Sequence, residues 1–392
     1  MLSSLEKGII TLVKNALNGE KQTLPDDFDF VEAYKIAKKH QIIPIIYYGG
    51  AHIDSFVSSA IGTKFLVNTM ALAAYSENQL NEIDTLSKAF KENGIEFLKL
   101  KGTVLKRLYP HPEMRLMSDA DVLVKKEQYA QIEKIVKDLG YTFLQASEHE
   151  WIWKRGDFTL ELHKCLVPNR QKDYYAYFGN GWKHTRKCDG SSEHKMSKEN
   201  ELVYLFTHLA KHYREAGIGI KHFTDIYVFM NAESTLDMDY VENALEHLGL
   251  LKFFNNVRKM LLCWFENEPW DEVSEFITAK IFESGVYGQR INELKADALK
   301  LKLQGKKKTK LGKFFARVFP PYKTMTYMFP VLEKAPILLP FMWAWRLIKL
   351  IFTGKERIKR YSEESKIQIT DESVNELYCE LDYVGLGFNF KE

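Results

Sequence analysis

The sequence has few of the features that mark a zinc-binding module, a disulfide-stabilised scaffold or a membrane-spanning chain. Its four cysteines are scattered among 392 residues, with no CxxC pair and no dense framework. The longest strongly apolar stretch, residues 337–352, contains Pro340, Arg346 and Lys349, and it falls short of the roughly 20 residues that a spanning helix needs. We therefore expect a reducing, cytoplasmic compartment and no transmembrane segment.

A large charge excess of one sign is also absent. The chain has 55 basic and 52 acidic residues and a formal charge of +3, so no overall electrostatic field points to nucleic acid as a partner. Residues 2–17 space their apolar side chains as an amphipathic helix does, unlike the unbroken apolar core of a signal peptide. We expect no export signal.

What the sequence does contain predicts an α+β protein, with a small mixed-sheet domain flanked by N-terminal and C-terminal helical regions. Residues 93–165 are predicted to fold in the order β-α-β-α-β-β-β, and helical periodicity dominates on both sides. Residues 304–313, QGKKKTKLGK, have the composition of a basic linker. We predict four units: helices at 1–90, the α/β domain with the candidate site at 91–190, a helical domain at 191–303, and a basic linker with an aromatic helical extension at 304–392.

Acidic residues of the predicted sheet occur at strand spacing. Asp119 and Asp121 project to one face of a predicted strand, and Glu161 and His163 share a face of a later strand. If these strands are neighbours, three carboxylates converge, and Mg²⁺ prefers oxygen ligands of this kind. We predict that the three acids are catalytic metal ligands and that His163 orients Glu161 and belongs to the nucleotide-binding site. The alternative is a solvated acidic strand and an exposed hairpin.

The turn that precedes this acidic strand has the character of a phosphate site. Gly102 follows a predicted buried strand and begins a short helix, so the backbone can approach a phosphate near free N–H groups. Thr103 adds a hydroxyl, and Lys101 or Arg115 can neutralise polyphosphate charge. We predict that all four residues bind a nucleotide. An ordinary helix start, with Arg115 paired to a nearby acid, is the alternative.

The same residues resemble the uncharacterised nucleotidyltransferases of the DNA polymerase β-like superfamily. Those proteins carry a pattern close to LKG, a tyrosine and proline, R-x-x-x-D-x-D-h-L-V, and a strand that ends h-x-L-H. The matching positions are Leu100-Lys101-Gly102, Tyr109-Pro110, Arg115, Asp119, Asp121, Leu123-Val124 and Glu161-Leu162-His163. The resemblance departs at Thr103, which stands where glycine or serine is usual, and at Glu161, where aspartate is commoner.

The resemblance implies a nucleotidyltransferase fold in which the three acids hold two metal ions, Mg²⁺ or Mn²⁺. The implied reaction transfers NMP from an NTP, with ATP the expected nucleotide, to a hydroxyl or phosphate on a small molecule or protein. Two alternatives stay open. One is a catalytically inert nucleotide- or partner-binding protein with the same fold, and the other is a phosphotransferase that uses the γ-phosphate.

Two further segments have alternative interpretations. His208 and His212 lie one helical turn apart without the glutamate of an HExxH zinc motif, and we predict that they line the cleft and contact phosphate. Asp225, which follows the basic pair Lys221-His222, is predicted to form a helix-packing ion pair, and a place in the cleft is the alternative. The basic and aromatic C-terminal part either packs onto the body of the protein or makes peripheral contact with an anionic membrane.

Overall fold

The computed structural model describes residues 2–233, 235–286, 288–305, 315, 318–329, 331–353, 367 and 369–387, with only the backbone of 350–353. Most of the predicted linker, residues 306–313, lies outside the described residues. The helices are α1 (Ser4–Asn18), α2 (Phe30–His40), α3 (Ile43–Gly50), α4 (Asp54–Val57), α5 (Ala60–Glu92), α6 (Gly102–Leu105), α7 (Tyr129–Asp138), α8 (Lys172–Phe178), α9 (Lys198–Glu215), α10 (Ile220–Ala232), α11 (Met238–His247), α12 (Leu251–Phe265), α13 (Glu272–Ser284), α14 (Arg290–Leu303), α15 (Tyr322–Met328), α16 (Val331–Lys334), α17 (Leu339–Thr353) and α18 (Asp371–Tyr383).

Seven strands form one mixed sheet. They are β1 (Phe97–Lys99), β2 (Ala120–Val124), β3 (Thr142–Ala146), β4 (Glu150–Arg155), β5 (Phe158–His163), β6 (Thr185–Lys187) and β7 (Glu193–Met196). Their spatial order is β3-β4-β5-β2-β1-β7-β6. Strand β2 runs parallel to β5 and antiparallel to β1, while β7 runs parallel to β1. The predicted α+β class with helical flanks is confirmed, whereas the division into four units stays a prediction.

The sheet separates two hydrophobic cores. One face packs against α5 and α7, where Phe90, Ile132 and Val136 meet strand residues that include Val122 and Leu160. The opposite face turns toward a larger core built mainly from the helical regions before and after the sheet. Side chains alternate across a strand, so every second strand residue packs against α5 and α7. The residues between them point to the opposite face, toward the larger core. A cleft forms on that second face.

Two features of the fold differ from the sequence prediction. Strands β6 and β7 extend the sheet on the β1 side, although neither was predicted, because TRK and EHKM are short and have little apolar alternation. The short helix expected after Gly102 is a single α-helical turn, α6, followed by tighter turns with i→i+3 hydrogen bonds. Lys106 is buried there and donates to Gln79 Oε1 and the Arg115 carbonyl, so long-range contacts direct the chain.

No helix among the described ranges is long and apolar enough to cross a membrane.

Candidate nucleotide-binding and metal-binding cleft

Two candidate metal ligands lie side by side at the centre of the sheet. Strands β2 and β5 pair in parallel, with Asp121 opposite Glu161 and Leu123 opposite His163. The chain neighbours of the two acids, such as Val122, point to the other face of the sheet and pack into the core formed with α5 and α7. The period-two alternation of ADVLV and FTLELH therefore directs both carboxylates into the cleft.

Asp121 is held by two cationic groups. Lys101 Nζ donates to Asp121 Oδ1 at 2.8 Å, and His163 Nε2 lies 2.7 Å from the same oxygen. Burial alone would raise the pKa of Asp121, but the charge of Lys101 and the bond to His163 hold that pKa well below its usual range. Asp121 is therefore ionised at neutral pH although it is buried.

His163 contacts Asp121 more closely than the acid that it was predicted to orient. Its Nε2 atom lies 3.6 Å from Glu161 Oε2, compared with 2.7 Å from Asp121 Oδ1. Burial lowers the pKa of His163, but its hydrogen bonds to these two carboxylates outweigh that effect and raise the pKa overall. The histidine links the two acids and leans toward Asp121.

Asp119 adds a third carboxylate just before β2. Burial, and then the charges of Asp121 and Glu161, raise the pKa of Asp119 to about 6. Ligand atoms of Asp121, Glu161 and His163 lie within 4.8 Å of one another, a group that does not include Asp119. The oxygen-rich donor set fits Mg²⁺ or Mn²⁺, because a divalent cation would relieve the repulsion that raises the pKa of Asp119.

The turn between β1 and α6 positions the lysine that contacts Asp121. Lys101 has φ 49° and ψ −119°, a backbone conformation that favours glycine and that other residues seldom adopt. The turn is closed by a hydrogen bond from the Thr103 amide to the Leu100 carbonyl at 3.1 Å. The strained conformation brings the ammonium group of Lys101 over the neighbouring strand and onto Asp121.

Other atoms of this turn are already engaged or crowded. The hydroxyl of Thr103 donates to the Leu100 carbonyl at 2.5 Å, and the side chain is buried. A Cβ atom at Gly102 would lie 3.0 Å from the side chain of Met117, so a larger residue would push that methionine aside. The structure thus brings Lys101 to the acidic group, whereas the predicted phosphate contacts of Gly102 and Thr103 stay predictions.

Arg115 forms part of a buried connection between the sheet and α10. Its Nε atom donates to Asp225 Oδ1 at 2.6 Å, and Tyr109 donates to the same oxygen at 2.8 Å. Both charged side chains are buried. The predicted ion pair of Asp225 is confirmed, and its partner is Arg115, so any substrate contact of this guanidinium occurs while it is paired.

The sheet and the helices enclose a cleft of about 1470 Å³. We call its two sides the sheet wall, formed by Lys101, Asp119, Asp121, Glu161 and His163, and the helix wall, formed by His208, Lys211, His212, Lys221 and His222 on α9 and α10. On the helix wall, His208 Nε2 and His212 Nε2 lie 3.2 Å apart. Burial is the main cause that lowers the pKa of His212 to about 3 and that of His208 well below its usual range, with Lys101 and Lys211 adding repulsion.

Lys221 and His149 are among the residues of the cleft that sequence reasoning missed. Burial, and then repulsion by Arg115, lower the pKa of Lys221 to about 7, and its ammonium group donates to Gln41 Oε1 at 2.9 Å. His149 Nε2 lies 2.9 Å from His163 Nδ1, and burial lowers the pKa of His149 to about 2. His149 immediately precedes β4. Its position next to the predicted hairpin is the sequence feature that could have pointed to it.

The C-terminal helices also line the cleft. Lys323 and Tyr327 of α15 and Arg346 of α17 are among its lining residues. Lys323 donates to Glu148 at 2.8 Å, and the ammonium group of Lys164 lies 5.2 Å from the ring centre of Tyr327. This part of the chain therefore contributes to the shape of the cleft.

A mixed sheet with adjacent carboxylates, a cationic turn and helical flanks is the arrangement expected in the nucleotidyltransferase superfamily. The chain belongs to the family described as "Uncharacterised nucleotidyltransferase", whose model matches residues 26–266, more than half of the chain. The solution structure of the antibiotic-resistance factor ANT(2'')-Ia aligns with 49% of this chain and 100% of its own at 16% identity, with a TM-score of 0.32 that is too low to argue from. No curated protein matches the chain.

Proposed function

We propose that this protein is a metal-dependent nucleotidyltransferase that moves NMP from an NTP, expected to be ATP, to a hydroxyl or phosphate of a small molecule or protein. One observation carries the proposal: Asp121 and Glu161 lie side by side on paired strands, and burial together with the charges of these two acids raises the pKa of the neighbouring Asp119 to about 6. Such crowded carboxylates, with Lys101 on one of them, suit a divalent cation that is shared with polyphosphate oxygens.

The three acids would hold the metal, which when bound supplies charge neutralisation at the α-phosphate and activates the acceptor oxygen. Asp121 is already oriented by Lys101 and His163, so it is ionised at neutral pH before a metal binds. The acceptor oxygen forms a bond to the α-phosphorus, a hydroxyl acceptor releases its proton to solvent, the bond between that phosphorus and the β-bridging oxygen breaks, and pyrophosphate leaves.

The residues around the acids have distinct proposed roles. Lys101 holds Asp121 and adds positive charge beside the polyphosphate, and the backbone N–H group of Gly102 would face its phosphates. Thr103, whose amide and hydroxyl both donate to the Leu100 carbonyl, would contact a phosphate only by giving up one of these bonds. His208 and His212 lie on the opposite wall of the cleft, where their uncharged rings can contact phosphate oxygens. Arg115 acts from its ion pair with Asp225 and fixes the loop before β2.

The test separates the three functions that the residues allow. The protein is incubated with Mg²⁺ or Mn²⁺, a cell extract as acceptor source, and ATP labelled at the α- or the γ-phosphate. Transfer of the α label that disappears in Asp119→Asn, but persists in the control Asp138→Asn on exposed α7 surface, supports nucleotidyl transfer. Transfer of the γ label alone identifies a phosphotransferase, and nucleotide binding without transfer identifies an inert binding protein.

A further inference from the structure

The C-terminal helices expose an unusual amount of apolar surface. Nine of the 22 large hydrophobic side chains exposed among the described residues lie between residues 315 and 348. Four of them follow one another on α17 and the turn before it: Ile337 is 83% exposed, Phe341 68%, Trp345 56% and Ile348 46%. We call these four residues the C-terminal face.

The spacing of the C-terminal face places its side chains together. Successive members are four, four and three residues apart, which is the repeat of one side of an α-helix. Helix α17 has 15 residues, too short and too interrupted to span a bilayer. An apolar stripe on a helix that does not span is the form taken by helices that lie in the plane of a membrane surface.

The sequence around α17 determines which kind of surface it fits. Seven basic residues and no acid occur from Lys302 to Arg317, and residues 355–360, KERIKR, add four basic residues and one acid. Apolar side chains that include an exposed tryptophan, between two basic segments, are complementary to lipid headgroups that carry negative charge. Contact with a partner protein or a second copy would not require so many basic residues in the sequence before and after α17.

We propose that the C-terminal face docks onto the surface of an anionic membrane. Its apolar side chains would enter the boundary between headgroups and acyl chains, and the positive charge of the adjoining sequence favours acidic headgroups. Arg346 of α17 and Lys323 of α15 line the cleft, so docking would bring the cleft close to the headgroups. If the proposed function holds, such docking favours an acceptor that presents its hydroxyl or phosphate at the membrane surface, and this inference therefore rests on the proposed function.

The test uses the full chain and vesicles without nucleotide, so its outcome is independent of any transfer activity. Sedimentation is measured with vesicles of phosphatidylcholine alone and with vesicles that contain about 30% phosphatidylserine. We expect binding to the anionic vesicles that weakens with added salt. Phe341→Glu/Trp345→Glu should reduce it by about tenfold or more, because two large apolar side chains no longer leave water.

The matched control is Val67→Glu/Met70→Glu, which makes the same charge change at two exposed apolar positions of α5. It should bind vesicles as the unchanged protein does. The proposal is overturned if the unchanged protein binds neither vesicle, if it binds both equally, or if Phe341→Glu/Trp345→Glu binds normally. A dimer that only this variant dissociates, without vesicle binding by the unchanged protein, would instead make the face a contact between copies.

Discussion

Buried titratable groups have different charge states on the two walls of the cleft. On the sheet wall, Asp121 stays ionised because Lys101 and His163 contact it. On the helix wall, His208 and His212 have pKa values far below the usual range, because burial and neighbouring cations disfavour a further positive charge. The sheet wall therefore offers fixed negative charge for a cation, and the histidines of the helix wall offer uncharged polar groups beside Lys211 for a substrate that brings its own negative charge.

The largest expected effect comes from breaking the ion pair that joins the walls. Asp225→Asn keeps the shape of the side chain but leaves the guanidinium of Arg115 buried without a compensating charge. We expect the free energy of unfolding to fall by about 3 to 5 kcal/mol. Urea unfolding followed by circular dichroism measures this change.

The matched control is the exposed ion pair of Arg107 with Asp84. Asp84→Asn should lower the free energy of unfolding by less than about 1 kcal/mol, because solvent screens that pair. Equal losses in the two variants would show that the Arg115 pair does not connect the walls energetically.

The next effect concerns the carboxylate that lacks a cationic contact. In metal-free protein at pH 8, Asp119→Asn should raise the free energy of unfolding by about 1 to 2 kcal/mol. The folded-state pKa of about 6 lies above the ordinary value of 3.8, so the stability that this carboxyl contributes at low pH is lost as pH rises through 6. At pH 4 the difference between the variant and the unchanged protein should largely disappear.

Addition of Mn²⁺ sharpens this comparison. The unchanged protein should gain stability with rising metal concentration, because the ion binds only the folded carboxylate group. Asp119→Asn should gain much less. The control Asp138→Asn should respond to the metal as the unchanged protein does, and a similar response in all three proteins would exclude Asp119 as a ligand.

Local periodicity predicted much of the sheet wall. Alternation in ADVLV and FTLELH determines which side chains share a face, and the observed register of Asp121 against Glu161 agrees with it. The resemblance to a known family supplied the link between these distant strands. Strands β6 and β7 were missed because three or four mostly polar residues become a strand only when a neighbour such as β1 is present.

The helix wall was less accessible to sequence reasoning. A buried lysine such as Lys221 is indistinguishable in sequence from an exposed one, since its burial depends on contacts with Gln41 and the Leu116 carbonyl far along the chain. The contact of His149 with His163 likewise depends on the register of a hairpin. Perturbed pKa values follow from such long-range packing and have no local pattern.

A smaller effect is expected from the positive charge on the helix wall. Lys211 lies in the cleft, and burial lowers its pKa. Lys211→Met should weaken ATP binding by about tenfold, and His212→Gln by about threefold, because a charged donor contributes more than a neutral one. Titration calorimetry measures both, with Lys134→Met on the exposed surface of α7 as the control. Unchanged affinity in both cleft variants would place the polyphosphate elsewhere.

The smallest effect tests whether Lys221 is uncharged in the folded protein. Its pKa of about 7 lies below the ordinary 10.5, so between these values the unfolded chain binds more protons and stability rises with pH. The free energy of unfolding of the unchanged protein, relative to Lys221→Met, should increase by about 1 kcal/mol from pH 7.5 to 8.5. Urea unfolding at both pH values measures it, and Lys88→Met at an exposed site should show no such slope. A flat difference for Lys221→Met would mean that this lysine remains charged, and the helix wall would then carry a second positive charge beside that of Lys211.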